Sequence, residues 1–152
     1  MYWRFYISAL IIIGFSFCSS IRDNVVMGTP YTDSIVKVEM NLSAFGVESD
    51  DFPSIKAYVN FQTDSSNCEK SFYNPAYKNS TYYLSKAEIQ QILKILMNSD
   101  VEKLKREFKV QSTDQPTSTI TIYTSTKKII IKDYGLKGDS PLQELYKVVY
   151  KF

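Results

Sequence analysis

Apolar and polar residues alternate with a period of two along residues 34–42, and this pattern restricts the fold more than any other feature of the chain. One side of the stretch carries Val36, Val38, Met40 and Leu42. Successive side chains of a β-strand point to opposite faces of a sheet, so the pattern predicts a strand with one buried face. Residues 55–61 repeat the alternation after a turn region at residues 44–53. The two strands are expected to form a hairpin with a long connection.

A second hairpin is predicted in the carboxy-terminal half, from residues 119–124 and 128–132. Pairing of these strands brings four isoleucines onto one face: Ile120, Ile122, Ile129 and Ile131. Between the two hairpins, residues 81–84 are expected to form a short strand. Residues 62–80 are polar and lack periodicity, so they are expected to be irregular.

Two adjacent helices are predicted after the short strand. Ser85 and Glu88 form a capping box, in which each side chain accepts a hydrogen bond from a backbone amide at the start of a helix. The following apolar residues recur at helical spacing: Ile89, Ile92, Leu93 and Leu96. Asp100 is expected to cap a second, short helix that carries Val101, Leu104 and Phe108.

The last predicted helix begins with Pro141 at its first position, and Ser140 and Gln143 form its capping box. Its apolar stripe consists of Leu142, Leu145, Tyr146 and Val149. The predicted order of elements is therefore β-β-(β)-α-β-β-α. Strands with one apolar face and helices with one apolar stripe predict the α+β class, with an antiparallel sheet and helices packed on one face.

The composition narrows the range of functions. A chain of 152 residues is long enough for one domain, and residues 33–152 are expected to form it. The net charge of +2 gives no electrostatic basis for binding nucleic acid. The chain contains no histidine, which removes the usual general base and the commonest metal ligand. No cofactor, metal site or catalytic residue is predicted.

The amino terminus has the pattern of an export signal. Arg4 supplies positive charge, and residues 7–17 form an apolar run that is shorter than the ~20 residues of a membrane-spanning helix. Cys18 follows this run directly, as in the signal of a bacterial lipoprotein. Residues 1–18 are therefore expected to be a signal peptide with lipidation at Cys18, and residues 19–32 a tether. The protein is expected to be exported and anchored in the cell envelope by lipid.

Two other interpretations of this segment remain open. Phe17 stands where a lipoprotein signal usually has a small residue. Ordinary signal-peptidase cleavage is compatible with small residues such as Ser16 and Cys18, or Cys18 and Ser20, at the recognition positions. An uncleaved membrane anchor is the other alternative.

Asp114 and Asp133 are the strongest candidates for a role beyond packing, because they flank the second predicted hairpin. Two neighbouring carboxylates can bind a cation or share a proton. In the expected register, however, Asp133 lies opposite a residue near Ser118, which places Asp114 roughly 13 Å further along at ~3.3 Å per residue. We therefore predict two separate structural aspartates, each hydrogen-bonded to nearby backbone amides.

Other polar and aromatic groups have simpler interpretations. The acidic cluster at residues 48–51 lacks the spacing of a calcium loop and is expected to be solvated. Cys68 has no partner for a disulfide if Cys18 is lipidated, and it is expected to be inert. Aromatic residues are frequent in residues 72–83, where they either cover the sheet edge or form a surface that stacks on sugars or peptides. Covering the edge is the favoured interpretation.

The carboxy-terminal half resembles a known family. Residues 113–117 read Thr-Asp-Gln-Pro-Thr, a strand follows, and Asp-Tyr-Gly at residues 133–135 precedes a Pro-Leu helix start. This order resembles domain of unknown function 6438, which is common in lipoproteins of Bacteroidota-type bacteria. The residues that match the motifs of the family are Thr113, Asp114, Pro116, Asp133, Tyr134 and Gly135. The resemblance implies an envelope lipoprotein and carries no assigned activity.

The resemblance is weaker upstream. The family often has a Cys-x-Gly-x-Cys-Pro loop between its first two strands, and here Gly46 and Pro53 remain while both cysteines are missing. We expect an exported, lipid-anchored domain that is not an enzyme and has a partner-binding or assembly role. A small-molecule or polysaccharide-binding module is the alternative. Expected partners are the membrane, through the lipid, and an envelope protein or a glycan, and not nucleic acid.

Overall fold

The computed structural model describes residues 34–47 and 49–151 of the chain. The strands are β1 (Ile35–Ser43), β2 (Ser54–Asn60), β3 (Ser65–Ser71), β4 (Ser80–Tyr82), β5 (Glu107–Lys109), β6 (Thr117–Thr124) and β7 (Lys128–Tyr134). The helices are α1 (Lys86–Met97) and α2 (Leu142–Val149). The predicted signal peptide at residues 1–18 and the predicted tether at residues 19–32 lie outside the described residues.

The seven strands form one sheet with the order β4-β3-β2-β1-β6-β7-β5. The middle strand, β1, pairs on both sides, so that Val38 lies opposite Val59 in β2 and Ile122 in β6. Five of the six pairings are antiparallel, whereas β5 runs parallel to β7 with Phe108 opposite Asp133. The sheet is therefore mixed.

One face of the sheet and both helices share a hydrophobic core. The sheet contributes mainly aliphatic residues: Val38, Met40, Leu42, Ile55, Val59, Ile120, Ile122, Ile129 and Ile131. The helices contribute Ile89, Ile92, Leu96, Leu142, Leu145, Tyr146 and Val149. Full burial of one such aliphatic side chain stabilises a fold by about 1.5–3 kcal/mol, so this core holds the helices against the sheet.

Both predicted hairpins are confirmed. β1 and β2 pair antiparallel across the long connection, and Val38, Met40 and Leu42 are buried as the alternation predicted. Val36 departs from the pattern and is only half-buried, because the register shifts between Ile35 and Lys37. In the second hairpin, the four isoleucines lie on one face in the predicted register, with Ile120 opposite Ile131 and Ile122 opposite Ile129.

The predicted α+β class is wrong. The described chain is predominantly β, with a seven-stranded mixed sheet and two short helices of 12 and 8 residues. Part of the difference is β3, which lies in the region that was expected to be irregular. Its sequence, Ser-Ser-Asn-Cys-Glu-Lys-Ser, has one buried apolar residue, Cys68, and pairing with β2 and β4 compensates for this weak pattern.

The second predicted helix is also absent from the described structure. Asp100 and Lys103 form an ion pair of 2.7 Å in a turn, and the guanidinium of Arg106 donates to the carbonyls of Val101 and Glu102. These bonds satisfy the turn locally and let the chain continue into the extended strand β5. The apolar residues of this segment recur at helical spacing, but the segment forms a turn followed by a strand.

The capping prediction is correct for α1 and wrong for α2. The Ser85 hydroxyl accepts from the amide of Glu88, and the Glu88 carboxylate accepts from the amide of Ser85 at 2.7 Å. The Ser85 amide and the Lys151 ammonium hold the pKa of Glu88 down at about 2, so this cap stays ionised. Helix α2 has Pro141 as its N-cap and no side-chain cap. Gln143 instead donates to loop carbonyls.

We predict that Ser85→Ala lowers the free energy of unfolding by about 0.5–2 kcal/mol, because the amide of Glu88 loses its acceptor. Ser140→Ala is the matched control and should change stability by less than about 0.5 kcal/mol, because within the described residues the Ser140 side chain bonds the exposed Glu144 side chain alone. Urea denaturation of residues 19–152 measures both. Equal midpoints for wild type and Ser85→Ala would contradict the capping box.

Candidate functional site

The face of the sheet opposite the core, here called the open face, is lined by polar side chains. Strand alternation puts these residues between the buried ones, and neither helix buries its apolar stripe there. Its central part consists of Lys37, Glu39, Asn41, Lys56, Tyr58, Asn67, Glu69, Thr119, Thr121 and Tyr123. Sequence reasoning treated these residues only as the solvent side of the strands.

Strand register arranges the open face in transverse rows. In one row, Glu39 of β1 lies opposite Tyr58 of β2 and Thr121 of β6, and Tyr58 lies opposite Asn67 of β3. The adjacent row consists of Glu69, Lys56, Asn41 and Thr119. Neighbouring strands are about 4.8 Å apart, so side chains of one row can contact the same ligand.

A shallow groove of about 410 Å³ lies over these two rows. Its lining consists of Glu39, Met40, Asn41, Lys56, Ala57, Tyr58, Asn67, Glu69, Thr119 and Thr121. Met40 and Ala57 are buried in the core, and the other eight lining residues have polar or charged side chains whose carbon atoms also face the groove. The volume falls within the ~300–1,000 Å³ of typical small-molecule sites.

One side of the groove is fixed by an aromatic and ionic cluster. The Lys37 ammonium lies 4.0 Å from the ring centroid of Tyr123 and 5.4 Å from that of Tyr58. It also bonds Glu39 Oε1 at 2.9 Å, and the Tyr123 hydroxyl donates to Glu39 Oε2 at 2.9 Å. These contacts restrain both rings before any ligand arrives.

The same cluster determines the ionisation of Glu39. Its hydrogen bond to Lys37 lowers the pKa of the Glu39 carboxyl, whereas partial burial raises it. The hydrogen bond from the Tyr123 hydroxyl lowers the pKa further, so the net shift is downward. Glu39 is therefore ionised at neutral pH, and both of its oxygens accept a hydrogen bond. Such a carboxylate is a poor general acid, because it holds no proton to donate.

Other groove side chains have unused hydrogen-bonding capacity. Within the described part of the chain, the side chains of Asn41, Lys56, Thr119 and Thr121 make no hydrogen bond or ion pair. Thr121 is only 8% exposed, and its hydroxyl has no partner among the described residues. Buried polar groups normally find a partner, which water or a ligand in the groove can supply.

Asp133 lies in the core, on the opposite face of the sheet from the groove, and is 1% exposed. Its carboxylate accepts from the amides of Lys137 at 3.0 Å and Gly138 at 2.8 Å, and from the Tyr146 hydroxyl at 2.9 Å. Burial raises the pKa of Tyr146 above its usual value, which keeps this donor protonated. The predicted backbone bonds of Asp133 are therefore present, and so is its predicted register opposite Ser118.

The other family-motif residues of this region join two loops. The Tyr134 hydroxyl accepts from the amide of Gln115, and the Gly135 amide donates to the carbonyl of Pro116 at 2.8 Å. Gly135 has φ +94°, and a Cβ there would lie 2.5 Å from a methyl carbon of Val110. The motif at residues 113–117 is thus hydrogen-bonded to the motif at residues 133–135, and both motifs stabilise the fold.

Asp114 behaves differently from Asp133. It is exposed and has φ +58°, a conformation that aspartate tolerates in turns. The predicted backbone bond of its carboxylate is not found anywhere in residues 34–47 and 49–151. Those residues also contain no group of three or more cysteine or acidic side chains that could hold a metal ion.

The remaining candidates occupy other parts of the surface and core. Of the acidic loop, Glu48 lies outside the described residues and Asp50 accepts from the Asn74 side chain. In the aromatic stretch, Phe72 stacks on Tyr77, whereas Tyr73 is 97% exposed and covers nothing. The favoured interpretation, rings that cover the sheet edge, therefore does not extend to Tyr73.

Cys68 is a fully buried thiol in β3. Burial raises its pKa to about 11, so the nucleophilic thiolate is scarce at neutral pH. Tyr82 lies opposite it in β4 and donates to the carbonyl of Val149 at 2.6 Å, which joins the sheet edge to the end of α2. These contacts give Cys68 a packing role.

We predict that Asp133→Asn lowers the free energy of unfolding by about 2–4 kcal/mol, because the new amide group places a donor against existing donors and weakens bonds in a buried site. Asp114→Asn makes the same chemical change at an exposed position and should cost less than about 0.5 kcal/mol. Chemical denaturation compares the two variants. Similar losses of stability would contradict the structural difference between these aspartates.

We also expect no calcium-dependent change in the melting temperature of the wild type or of these two variants. A calcium-induced rise that both substitutions abolish would show that the two carboxylates share a cation.

Comparison with known proteins identifies the family. Neither helix in the described residues is long and apolar enough to cross a membrane. No curated protein and no solved structure shows significant similarity to the chain. The family model described as Domain of unknown function (DUF6438) matches residues 50–152. The match covers more than half of the chain and includes every motif residue that suggested the resemblance, and the chain therefore belongs to the DUF6438 family.

Proposed function

We propose that this protein is an exported, lipid-anchored domain of the cell envelope that binds a partner through the open face of its sheet and catalyses no reaction. The groove carries this proposal, since it combines a restrained aromatic ring, Tyr58, with polar side chains that have no partner within the described residues.

A binding role fits the groove better than catalysis does. Glu39 lacks a proton to donate at neutral pH, and its oxygens are occupied by Lys37 and Tyr123. Cys68 is buried on the other face, and histidine is absent from the sequence. The described residues therefore offer no paired acid and base beside the groove. Recognition requires only the complementary surface that is already present.

Lipid anchoring would hold this face close to envelope components. Cys18 stands directly after the apolar run, and the expected tether, residues 19–32, would connect it to the domain. The likeness of residues 1–18 to a lipoprotein signal and the common occurrence of the family in lipoproteins support this anchor. A small-molecule or polysaccharide-binding module is the second candidate, and the size of the groove favours it.

We predict that cells labelled with a radioactive fatty acid incorporate label into the wild-type protein and not into Cys18→Ser, because this thiol is the expected site of acylation. Cys68→Ser is the matched control and should be labelled normally, since Cys68 is buried in β3. Labelling that persists in Cys18→Ser would rule out this anchor.

The binding function predicts that partners are captured on one face only. A photo-cross-linking amino acid at Thr119 lies in the groove, whereas the same amino acid at the exposed Lys147 lies on α2. After irradiation of intact cells, adducts should form at position 119 and be far weaker at position 147. Adducts at neither position, or equally at both, would contradict a binding role for the open face.

A further inference from the structure

We infer that the groove on the open face binds a neutral oligosaccharide through a pyranose ring stacked on Tyr58. This inference rests on the proposed binding function and specifies its ligand class. Four features of the groove support it: balanced charge, side chains that both donate and accept hydrogen bonds, a restrained aromatic ring, and a surface unsuited to peptides.

The charges of the groove cancel. Glu39 and Glu69 line it together with Lys56, and Lys37 borders it while bonded to Glu39. These two carboxylates and two ammonium groups balance one another, and Lys128 and Lys132 of β7 lie outside the groove, across β6. Lys56 lies opposite Glu69 across the β2–β3 ladder, so even the ammonium without a hydrogen bond has an opposite charge beside it. A neutral ligand complements this arrangement best.

The hydrogen-bonding groups match sugar hydroxyls. A hydroxyl both donates and accepts, and the side-chain amides and hydroxyls of the groove do the same. Asn41, Thr119 and Thr121 have no side-chain partner within the described residues, and Asn67 has only a long bond of 3.3 Å to Glu69. A ligand with several adjacent hydroxyls would satisfy them together, including the Thr121 hydroxyl that is buried at 8% exposure.

Tyr58 supplies a platform for the apolar side of a pyranose. Tyr58 is 38% exposed and lies in the row between Asn67 and Glu39. Two rows flank the row that contains Tyr58. One of them contains Lys37, and the other, on the groove side, contains Asn41 and Lys56. The contact with Lys37 restrains the ring and lowers the entropy lost when a sugar stacks on it. A tyrosine side chain combines an apolar ring with a polar hydroxyl, and the apolar ring face suits such a ligand.

A peptide fits this surface poorly. Peptides commonly add a strand to a sheet edge or insert apolar side chains into pockets. β1 and β2, below the groove, are paired on both sides, so no free edge is available there. The apolar lining residues Met40 and Ala57 have their side chains in the core and form no pocket on this face.

The experiment titrates the full chain, purified in a detergent without a sugar head group, with neutral trisaccharides in a calorimeter. The probes are maltotriose, cellotriose, xylotriose, mannotriose and chitotriose, with trigalacturonate as an acidic comparator. At least one neutral probe should bind with a Kd of about 1 mM or tighter, and trigalacturonate should bind more weakly. No binding by any neutral probe, or tighter binding of trigalacturonate, would overturn the inference.

Four variants test the geometry. Tyr58→Ala and Asn67→Ala should each weaken binding at least about tenfold, the equivalent of one good polar or stacking contact. Tyr58→Phe keeps the ring and should bind within about threefold of wild type, and Tyr73→Ala removes an exposed tyrosine outside the groove and should have no effect. Losses in Tyr58→Phe or Tyr73→Ala as large as in Tyr58→Ala would disprove stacking at this site.

The outcomes separate this inference from the function on which it rests. Position-specific cross-links at Thr119 without binding of any neutral trisaccharide would overturn the carbohydrate ligand and leave a protein partner for the open face. Loss of both the cross-links and the trisaccharide binding would overturn the binding function as well.

Discussion

The hydrogen bonds of the buried Asp133 carboxylate join the sheet to the loop after β7 and to helix α2. A buried anion is strongly unfavourable unless donors compensate for the water it loses. Here the amides of Lys137 and Gly138 and the hydroxyl of Tyr146 provide that compensation at 2.8–3.0 Å. The carboxylate can be satisfied only if the loop after β7 turns back and α2 docks against the sheet. Gly138 permits this turn, since a Cβ there would lie 2.9 Å from the carboxylate.

The sequence predicted the parts of the fold whose pattern is local. Alternation identified β1, β2, β6 and β7, and the capping box at Ser85 fixed the start of α1. The elements that were missed have weak patterns of their own. β3 has Cys68 as its one buried apolar residue, and β5 spans only three residues around Phe108. Both are strands because neighbouring strands offer unpaired backbone groups, a tertiary effect that local propensity does not register.

The candidate site could be predicted only in part, for a related reason. The register of the β6–β7 hairpin placed Asp133 opposite Ser118 from the sequence alone. The groove, in contrast, is assembled from four strands that are far apart in the chain, so Lys56 and Thr119 become neighbours of Asn41 only through the strand order. No short motif connects them. The sequence indicates the groove residues only as the polar positions of each alternating strand. An ordinary solvent-exposed sheet face has the same pattern.

The buried family-motif residue Asp133 and the groove belong to opposite faces of the same sheet. Asp133 and Gly135 secure the loops and the core, whereas the groove depends on β1, which lies before the matched residues 50–152 and supplies Glu39 and Asn41. The matched segment without β1 would lack the middle strand of the sheet, and β2 and β6 would both have an unpaired edge. The motifs that identify the family therefore account for the scaffold. The proposed binding chemistry depends instead on the outward-facing residues of this particular chain, with Tyr58 at their centre.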